Sequence, residues 1–249
     1  MTASAPTVVD VDIPSDVEGT SQGLRGIMAV PAGDGPWPGV ILVHEAFDID
    51  ENENMRRQVR RMAQAGYLAI MPNLFSEGGA RKCLVATFRA LSAGRGRAFQ
   101  DIEAARRMLL ARPDSTDKVG VIGFCLGGGF ALALASGRRY DVSSVNYGRF
   151  PRDADAVLAD ACPVVASYGG RDTSLKGAAA KLDAMLTRNG IPHDVKEYPQ
   201  AGHSFLNEED EGPRALRPVM HAILGVGPDP EAAADAWSRI EAFFATYLR

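Results

Sequence analysis

The sequence predicts an α/β fold: a mainly parallel sheet with helices on both faces and an antiparallel N-terminal edge. Short apolar runs, such as residues 40–43, recur along the chain and are typical of strands covered on both faces. Apolar residues at helical spacing separate these runs, which favours crossover helices between parallel strands. Two strands with no helix between them come before the first run, and this arrangement predicts the antiparallel edge.

The strands can be followed in chain order. Residues 8–13 alternate apolar and polar side chains, as a half-buried strand does, and residues 24–30 supply the second strand of the edge. The later strands are predicted at residues 40–43, 67–71, 118–124, 142–147, 164–169 and 194–198.

The helices are predicted from apolar spacing and from the residues that end them. The first carries Met55, Val59 and Met62 on one face and ends at Gly66. Its four arginines, on the other face, are interpreted as solvated. Residues 73–96 predict no more than a short helix near residues 84–91. Further helices are marked by Phe99, Ile102 and Leu109, by Ala178, Leu182 and Met185, and by Trp237, Ile240, Phe244 and Tyr247.

Composition limits the classes of protein and site. The 249 residues, 46% of them hydrophobic, contain no linker-like stretch, so a single domain over residues 1–249 is expected. A net charge of −4 argues against nucleic acid as a partner. No signal-like start or membrane-length apolar run is present, and the three cysteines have no metal-binding spacing. A soluble cytoplasmic protein without a metal or membrane partner is therefore expected.

The stretch VGVIGFCLGGGF, residues 119–130, contains the first candidate for chemistry. Gly123 and Gly127 lie two residues either side of Cys125, between an apolar strand and a small-residue helix. This pattern predicts a sharp turn that exposes the central side chain at a helix N-terminus. Backbone N–H groups there favour a thiolate and can hold an oxyanion. The alternative is an ordinary turn with a buried, inert cysteine.

Two later strand ends supply partners for Cys125. Asp172 follows the strand at residues 164–169, and His203 follows the strand at residues 194–198. The order nucleophile, acid, histidine is that of an α/β-hydrolase triad. Taken singly, the aspartate is more typical of a turn or helix cap and the Gly-His pair of a plain loop, but three residues at three strand ends favour the triad.

The motifs GFCLGG, GGRD, AGHSF and HEAF together resemble the dienelactone hydrolase (carboxymethylenebutenolidase) family of α/β-hydrolases. The resemblance implies Cys125 as nucleophile, His203 as general base and acid, and Asp172 as the group that orients His203. It also implies that Glu45 contacts the resting thiol and influences its ionisation. It assigns the oxyanion hole to the backbone N–H groups of Ala46 and Leu126. From the residues alone, Glu45 is either a functional carboxylate or an acid that caps a helix or anchors a loop.

The resemblance also implies a substrate-binding set. The family holds a substrate carboxylate with arginines, and one of their positions is occupied here by Asn207. The second arginine falls in residues 73–96, where Arg81, Arg89 and Arg95 are the candidates. The expected substrate-binding residues are Phe47, Asn207, Arg81 and Tyr147.

Residues 207–230 are expected to form an irregular loop near the site. The loop combines an acidic run with several prolines, and it follows His203 closely. It is interpreted either as a wall or lid of the pocket or as a solvated excursion.

These observations predict a hydrolase that cleaves a small-molecule ester or lactone through an acyl-enzyme on Cys125. The reaction needs no cofactor, because the protein groups and water supply every step. The alternative is a non-catalytic small-molecule receptor that keeps the hydrolase fold. The retention of all three triad residues argues against that alternative.

Overall fold

The computed structural model describes residues 5–46, 53–210 and 225–249, and its centre is one eight-stranded sheet. The strand order is β1-β2-β4-β3-β5-β6-β7-β8. Strands β1, β2 and β4 pair antiparallel, and all the other neighbours pair parallel. The strands are β1 (Thr7–Asp12), β2 (Arg25–Val30), β3 (Trp37–Val43), β4 (Leu68–Pro72), β5 (Ser115–Phe124), β6 (Val142–Asn146), β7 (Val164–Gly169) and β8 (His193–Tyr198).

Helices cover both faces of this sheet. They are α1 (Glu53–Gln64), α2 (Ala80–Ala93), α3 (Arg97–Leu110), α4 (Leu126–Leu134), α5 (Ala154–Val157), α6 (Ala178–Arg188) and α7 (Pro230–Leu248), with a 3-10 turn at Thr173–Leu175. Two glycines on the paired strands β3 and β5 show that different helices cover the two faces. A Cβ atom on Gly39 would contact Leu109 of α3, whereas one on Gly120 would contact Phe244 of α7. No helix in the described ranges is long and apolar enough to cross a bilayer.

The predicted mainly parallel sheet, its antiparallel edge and its covering helices are confirmed, and most element bounds agree within a few residues. The helix expected near residues 84–91 is longer, because it extends from Ala80 to Ala93 between Gly79 and Gly94. Its buried residues, Cys83, Thr87 and Leu91, form a narrow stripe that gives a weak apolar signal. The short helix α5 and the 3-10 turn were not predicted.

The arginine face of α1 is less solvated than expected. Arg57 pairs with Glu208 and Glu209, and Arg61 pairs with Glu241 of α7. The guanidinium of Arg61 also lies 4.7 Å from the ring centroid of Trp237, also on α7. The helix therefore uses this face for contacts within the protein.

The predicted irregular loop is described only in part. Residues 207–210 and 225–229 contain no helix or strand, whereas residues 211–224 lie outside the described residues. The helix α7 begins at residue 230, with the side chain of Asp229 accepting a hydrogen bond from the N–H of Ala232 at 3.1 Å. The expectation of a wall or lid thus falls largely on residues that the structure does not describe.

Candidate active site

The turn between β5 and α4 holds Cys125 in a strained backbone conformation. Cys125 has φ 53° and ψ −111°, a backbone conformation that residues other than glycine rarely adopt. The flanking glycines make the turn possible: a Cβ atom on Gly123 would overlap the carbonyl of Gly127, and one on Gly127 would overlap the carbonyl of Val43. The side chain of Cys125 is consequently held partly exposed at the N-terminus of α4.

The loops after β7 and β8 bring Asp172 and His203 together. The Nδ1–H of His203 donates to Oδ2 of Asp172 at 2.5 Å. The other carboxylate oxygen of Asp172 accepts from the N–H of Ser174 at 3.0 Å and from its hydroxyl at 2.6 Å. The N–H of Arg171 donates to the carbonyl of Ala201 at 2.9 Å, which ties the two loops to each other.

The groups around His203 favour its protonated form. Burial alone would lower the pKa of His203, but the negative charge of Cys125 and the hydrogen bonds with Asp172 and Cys125 raise it to about 10. Burial would likewise raise the pKa of Asp172, but the hydrogen bonds from His203 and Ser174 lower it. The structure therefore brings Cys125, His203 and Asp172 into one hydrogen-bonded chain, and their catalytic roles stay a prediction.

Glu45 lies close to these three residues, in the interior of the protein. Val43 of β3 pairs with Gly123 of β5, so Glu45 and Cys125 each lie two residues beyond the same rung of the sheet. The side chain of Glu45 is 1% exposed. Its Oε2 accepts from the hydroxyl of Ser204 and from Nδ2 of Asn207, both at 3.3 Å.

His44, next to Glu45, is held in its neutral form. The N–H of Leu74 donates to Nε2 of His44 at 3.0 Å, so the ring proton lies on Nδ1. Nδ1 then donates to the carbonyl of Glu45 at 2.6 Å. The ring is fully buried and fixes the path of the backbone after β3.

The predicted oxyanion-hole residues lie at the same edge of the sheet. Leu126 is the first residue of α4, and Ala46 follows Glu45. The end of β3 abuts the first turn of α4, because a Cβ atom on Gly127 would also contact the carbonyl of His44. The assignment of their N–H groups to an oxyanion stays a prediction.

The predicted substrate-binding residues differ in where they lie. Tyr147 is fully buried, and its ring centroid lies 5.1 Å from that of His203. Asn207 is 4% exposed and uses its amide on Glu45 and Gln58. Arg81 is exposed on α2, and Phe47 lies outside the described residues.

The other two candidate arginines line a separate cavity. Arg89 and Arg95 border a space of about 530 Å³ beside α2 and the start of α3. Neither Cys125 nor His203 is among its lining residues.

Three residues of the site were missed by sequence reasoning. Ser174 could have been found, because a serine two residues after an aspartate is typical of an Asx turn. Ser204 lies within the motif AGHSF but was given no role. Gln58 gave no signal beyond its place near the apolar stripe of α1. Across the described part of the chain, no three histidine, cysteine or acidic side chains come together as metal ligands would.

Comparison with known proteins gives a consistent result. A family model described as the dienelactone hydrolase family matches residues 24–248. A carboxymethylenebutenolidase from Rhodococcus opacus is 30% identical over 225 residues, which cover 84% of this chain and 81% of the relative. The matches confirm the family resemblance that the motifs predict.

Two solved structures extend the comparison to the fold. A dienelactone hydrolase-like promiscuous phosphotriesterase from metagenomic libraries aligns with a TM-score of 0.81 and 23% identity, over 99% of this chain and 100% of that chain. The dienelactone hydrolase from Anabaena variabilis aligns with a TM-score of 0.70 and 20% identity, over 99% and 100% of the two chains. Both support the α/β-hydrolase fold.

Proposed function

Because this chain belongs to the dienelactone hydrolase family, we propose that it hydrolyses a small-molecule ester or lactone with Cys125 as the nucleophile. The observation that carries the proposal is the hydrogen-bonded chain of Cys125, His203 and Asp172, in which the charge of the sulfur raises the pKa of His203. A thiolate beside an imidazolium is the reactive form of a catalytic cysteine.

The first half of the reaction forms a thioester. The Sγ of Cys125 attacks the carbonyl carbon, and the negative charge moves to the carbonyl oxygen. The N–H groups of Leu126 and Ala46 stabilise that oxyanion. His203 gives its proton to the leaving oxygen as the carbon–oxygen bond breaks, and His203 becomes neutral. An ester releases its alcohol at this step, whereas a lactone opens and keeps its hydroxyl or enol on the acyl group.

The second half returns the enzyme to its starting state. Neutral His203 takes a proton from water while the hydroxide attacks the thioester, and the carbon–sulfur bond breaks to give the acid and the thiolate of Cys125. Asp172 keeps Nδ1–H of His203 directed toward itself, so that Nε2 serves the reacting groups. Glu45 opposes thiolate formation in the resting enzyme by its negative charge.

We further propose that the substrate is a neutral ester or lactone. Asn207 occupies the position where the family has a carboxylate-binding arginine, and an amide offers no positive charge. Its amide is also engaged by Glu45 and Gln58. A guanidinium clamp on a substrate carboxylate contributes about 1.5–3 kcal/mol, so its absence removes roughly a 10- to 150-fold preference for an acid.

The test is a set of kcat/KM measurements on aryl esters and on an unsaturated lactone, as the free acid and as its methyl ester. We expect Cys125→Ala to lose at least about 10³-fold, because only binding and the oxyanion hole remain. The control Cys162→Ala changes a buried thiol away from the site and should retain activity. The methyl ester should be turned over at least as well as the acid.

Two results would contradict these proposals separately. Full activity in Cys125→Ala would exclude the covalent mechanism, and saturable binding without turnover would indicate a receptor. A strong preference for the free acid would exclude the neutral substrate class while leaving the nucleophile intact.

A further inference from the structure

A line of three buried side chains runs from α1 to the active site. Nε2 of Gln58 donates to Oδ1 of Asn207 at 3.1 Å, and Nδ2 of Asn207 donates to Oε2 of Glu45 at 3.3 Å. Gln58 and Asn207 are 4% exposed and Glu45 is 1% exposed. Because water has little access to these groups, each hydrogen bond is expensive to lose.

The carboxylate fixes the direction of every bond in this line. An ionised carboxylate only accepts hydrogen bonds, so Asn207 must turn its NH₂ group toward Glu45. Its carbonyl oxygen then faces Gln58, which must in turn present its own NH₂ group. The line therefore matches the ionised form of Glu45 and opposes a protonated one.

The orientation of the Gln58 amide agrees with this direction. Its Oε1 is buried and has no hydrogen-bond partner among the residues that the structure describes. A buried carbonyl without a partner is unfavourable. The amide nevertheless keeps its NH₂ group on Asn207, where a flipped amide would set two oxygens against each other.

The same helix also fixes the backbone around Asn207. Oδ1 of Asn54 accepts from the N–H groups of Glu208 and Glu209 at 3.0 and 3.2 Å, and Nδ2 of Asn54 donates to the carbonyl of Glu209 at 3.0 Å. Arg57 forms ion pairs with the same two glutamates. These contacts hold the backbone next to Asn207. The contribution of Gln58 is therefore to fix the rotation of the Asn207 amide.

The titratable and charged groups on the elements around Glu45 are few in the described ranges. Cys125 lies at the start of α4, and His203 precedes Ser204, which donates to the carboxylate. His44 is neutral and bonded on both ring nitrogens. On α1, Arg57 is already paired with glutamates.

We propose that Gln58 is a positioning residue for the reaction: it orients the amide of Asn207 toward Glu45 and so keeps that carboxylate ionised beside Cys125. The proposal rests on the proposed function, in which Glu45 restrains formation of the thiolate. Loss of the Gln58 amide lets Asn207 rotate and favours protonated Glu45. The restraint on Cys125 then weakens, so the thiolate forms at lower pH.

The test is the pH profile of Cys125 alkylation by iodoacetamide, followed by peptide mass spectrometry. Gln58→Met keeps the length of the side chain and removes its hydrogen bonds. We expect the midpoint of the profile to move about 0.5 pH unit lower, which corresponds to the loss of one such hydrogen bond. The matched control is Gln64→Met on the same helix, at an exposed position, and it should leave the midpoint unchanged.

A double variant separates positioning from a merely structural role. Glu45→Gln alone should also move the midpoint lower, and Gln58→Met should add nothing in that background, because its effect passes through Glu45. An unchanged midpoint in folded Gln58→Met, or an equal shift with and without Glu45, would overturn the proposal. If Gln58→Met fails to fold, Asn207→Leu breaks the same line and carries the same expectations.

The readout is independent of turnover. Alkylation reports the thiolate of Cys125 even if Cys125→Ala proves to be an active enzyme. Failure of the covalent mechanism and failure of the Gln58 assignment are therefore seen in different experiments.

Discussion

Two thiols in this protein lie close to the same sheet in opposite surroundings. Cys125 is partly exposed at the N-terminus of α4, bonded to His203, in a backbone conformation that flanking glycines permit. Cys162 lies just before β7, only 9% exposed, with its N–H donating to the carbonyl of Ala135 at 2.8 Å. Burial raises the pKa of Cys162 to about 12.

The two sites differ in backbone conformation and in neighbouring groups, which are the features that control the reactivity of a thiol. At Cys162 a backbone hydrogen bond lowers the pKa, but burial outweighs it because a negative charge in an apolar interior is costly. Cys125, by contrast, hydrogen-bonds to His203 and lies at the N-terminus of α4, where a negative charge is favoured. The strained turn places Cys125 at the start of α4, and the loops after β7 and β8 bring His203 to it.

The largest difference that we expect between the two thiols is in their rates of alkylation. With a pKa of about 12, Cys162 is a thiolate in only about 10⁻⁵ of molecules at pH 7, and it is also shielded from the reagent. We expect iodoacetamide to modify Cys125 at least about 100-fold faster than Cys162 at that pH. Peptide mass spectrometry of the folded protein measures both rates, and similar rates would remove the distinction between the two sites.

A second prediction is that a change at Asp172 lowers the reactivity of Cys125. Asp172→Asn removes the charge that supports protonated His203 and leaves the ring free to adopt the wrong tautomer. We expect kcat/KM for an aryl ester to fall by about 10²- to 10⁴-fold, and Cys125 alkylation near neutral pH to slow.

The control for that variant is Asp155→Asn, which removes an exposed carboxylate that pairs with Arg188. It should leave both measurements unchanged. Wild-type kinetics in Asp172→Asn would show that Asp172 serves only the 3-10 turn that follows it.

Much of the candidate site could be predicted because its signals are local or ordered along the chain. The turn at Cys125 is encoded by glycines two residues away on each side, which are a steric requirement of that turn. Asp172 and His203 follow two predicted strands, and the carboxyl ends of parallel strands meet at one edge. The fold class follows from the same run of alternating strands and helices.

The contacts of Asn207 could not be predicted for the opposite reason. Gln58 and Asn207 are 149 residues apart in the chain, and no spacing rule connects them. The family pattern directs attention to what Asn207 would do to a substrate, whereas the structure bonds its amide to Glu45. Long-range pairs of neutral polar side chains leave no periodic signal in a sequence.

The most direct test of the account is detection of the covalent intermediate. The protein is mixed with excess aryl ester, quenched in acid during turnover, digested, and analysed by peptide mass spectrometry. We predict an acyl group on the peptide that contains Cys125, formed as fast as the initial burst of phenol and absent in Cys125→Ala. Steady turnover with no acyl group on Cys125, under conditions that trap a synthetic thioester of the same acid, would contradict the account.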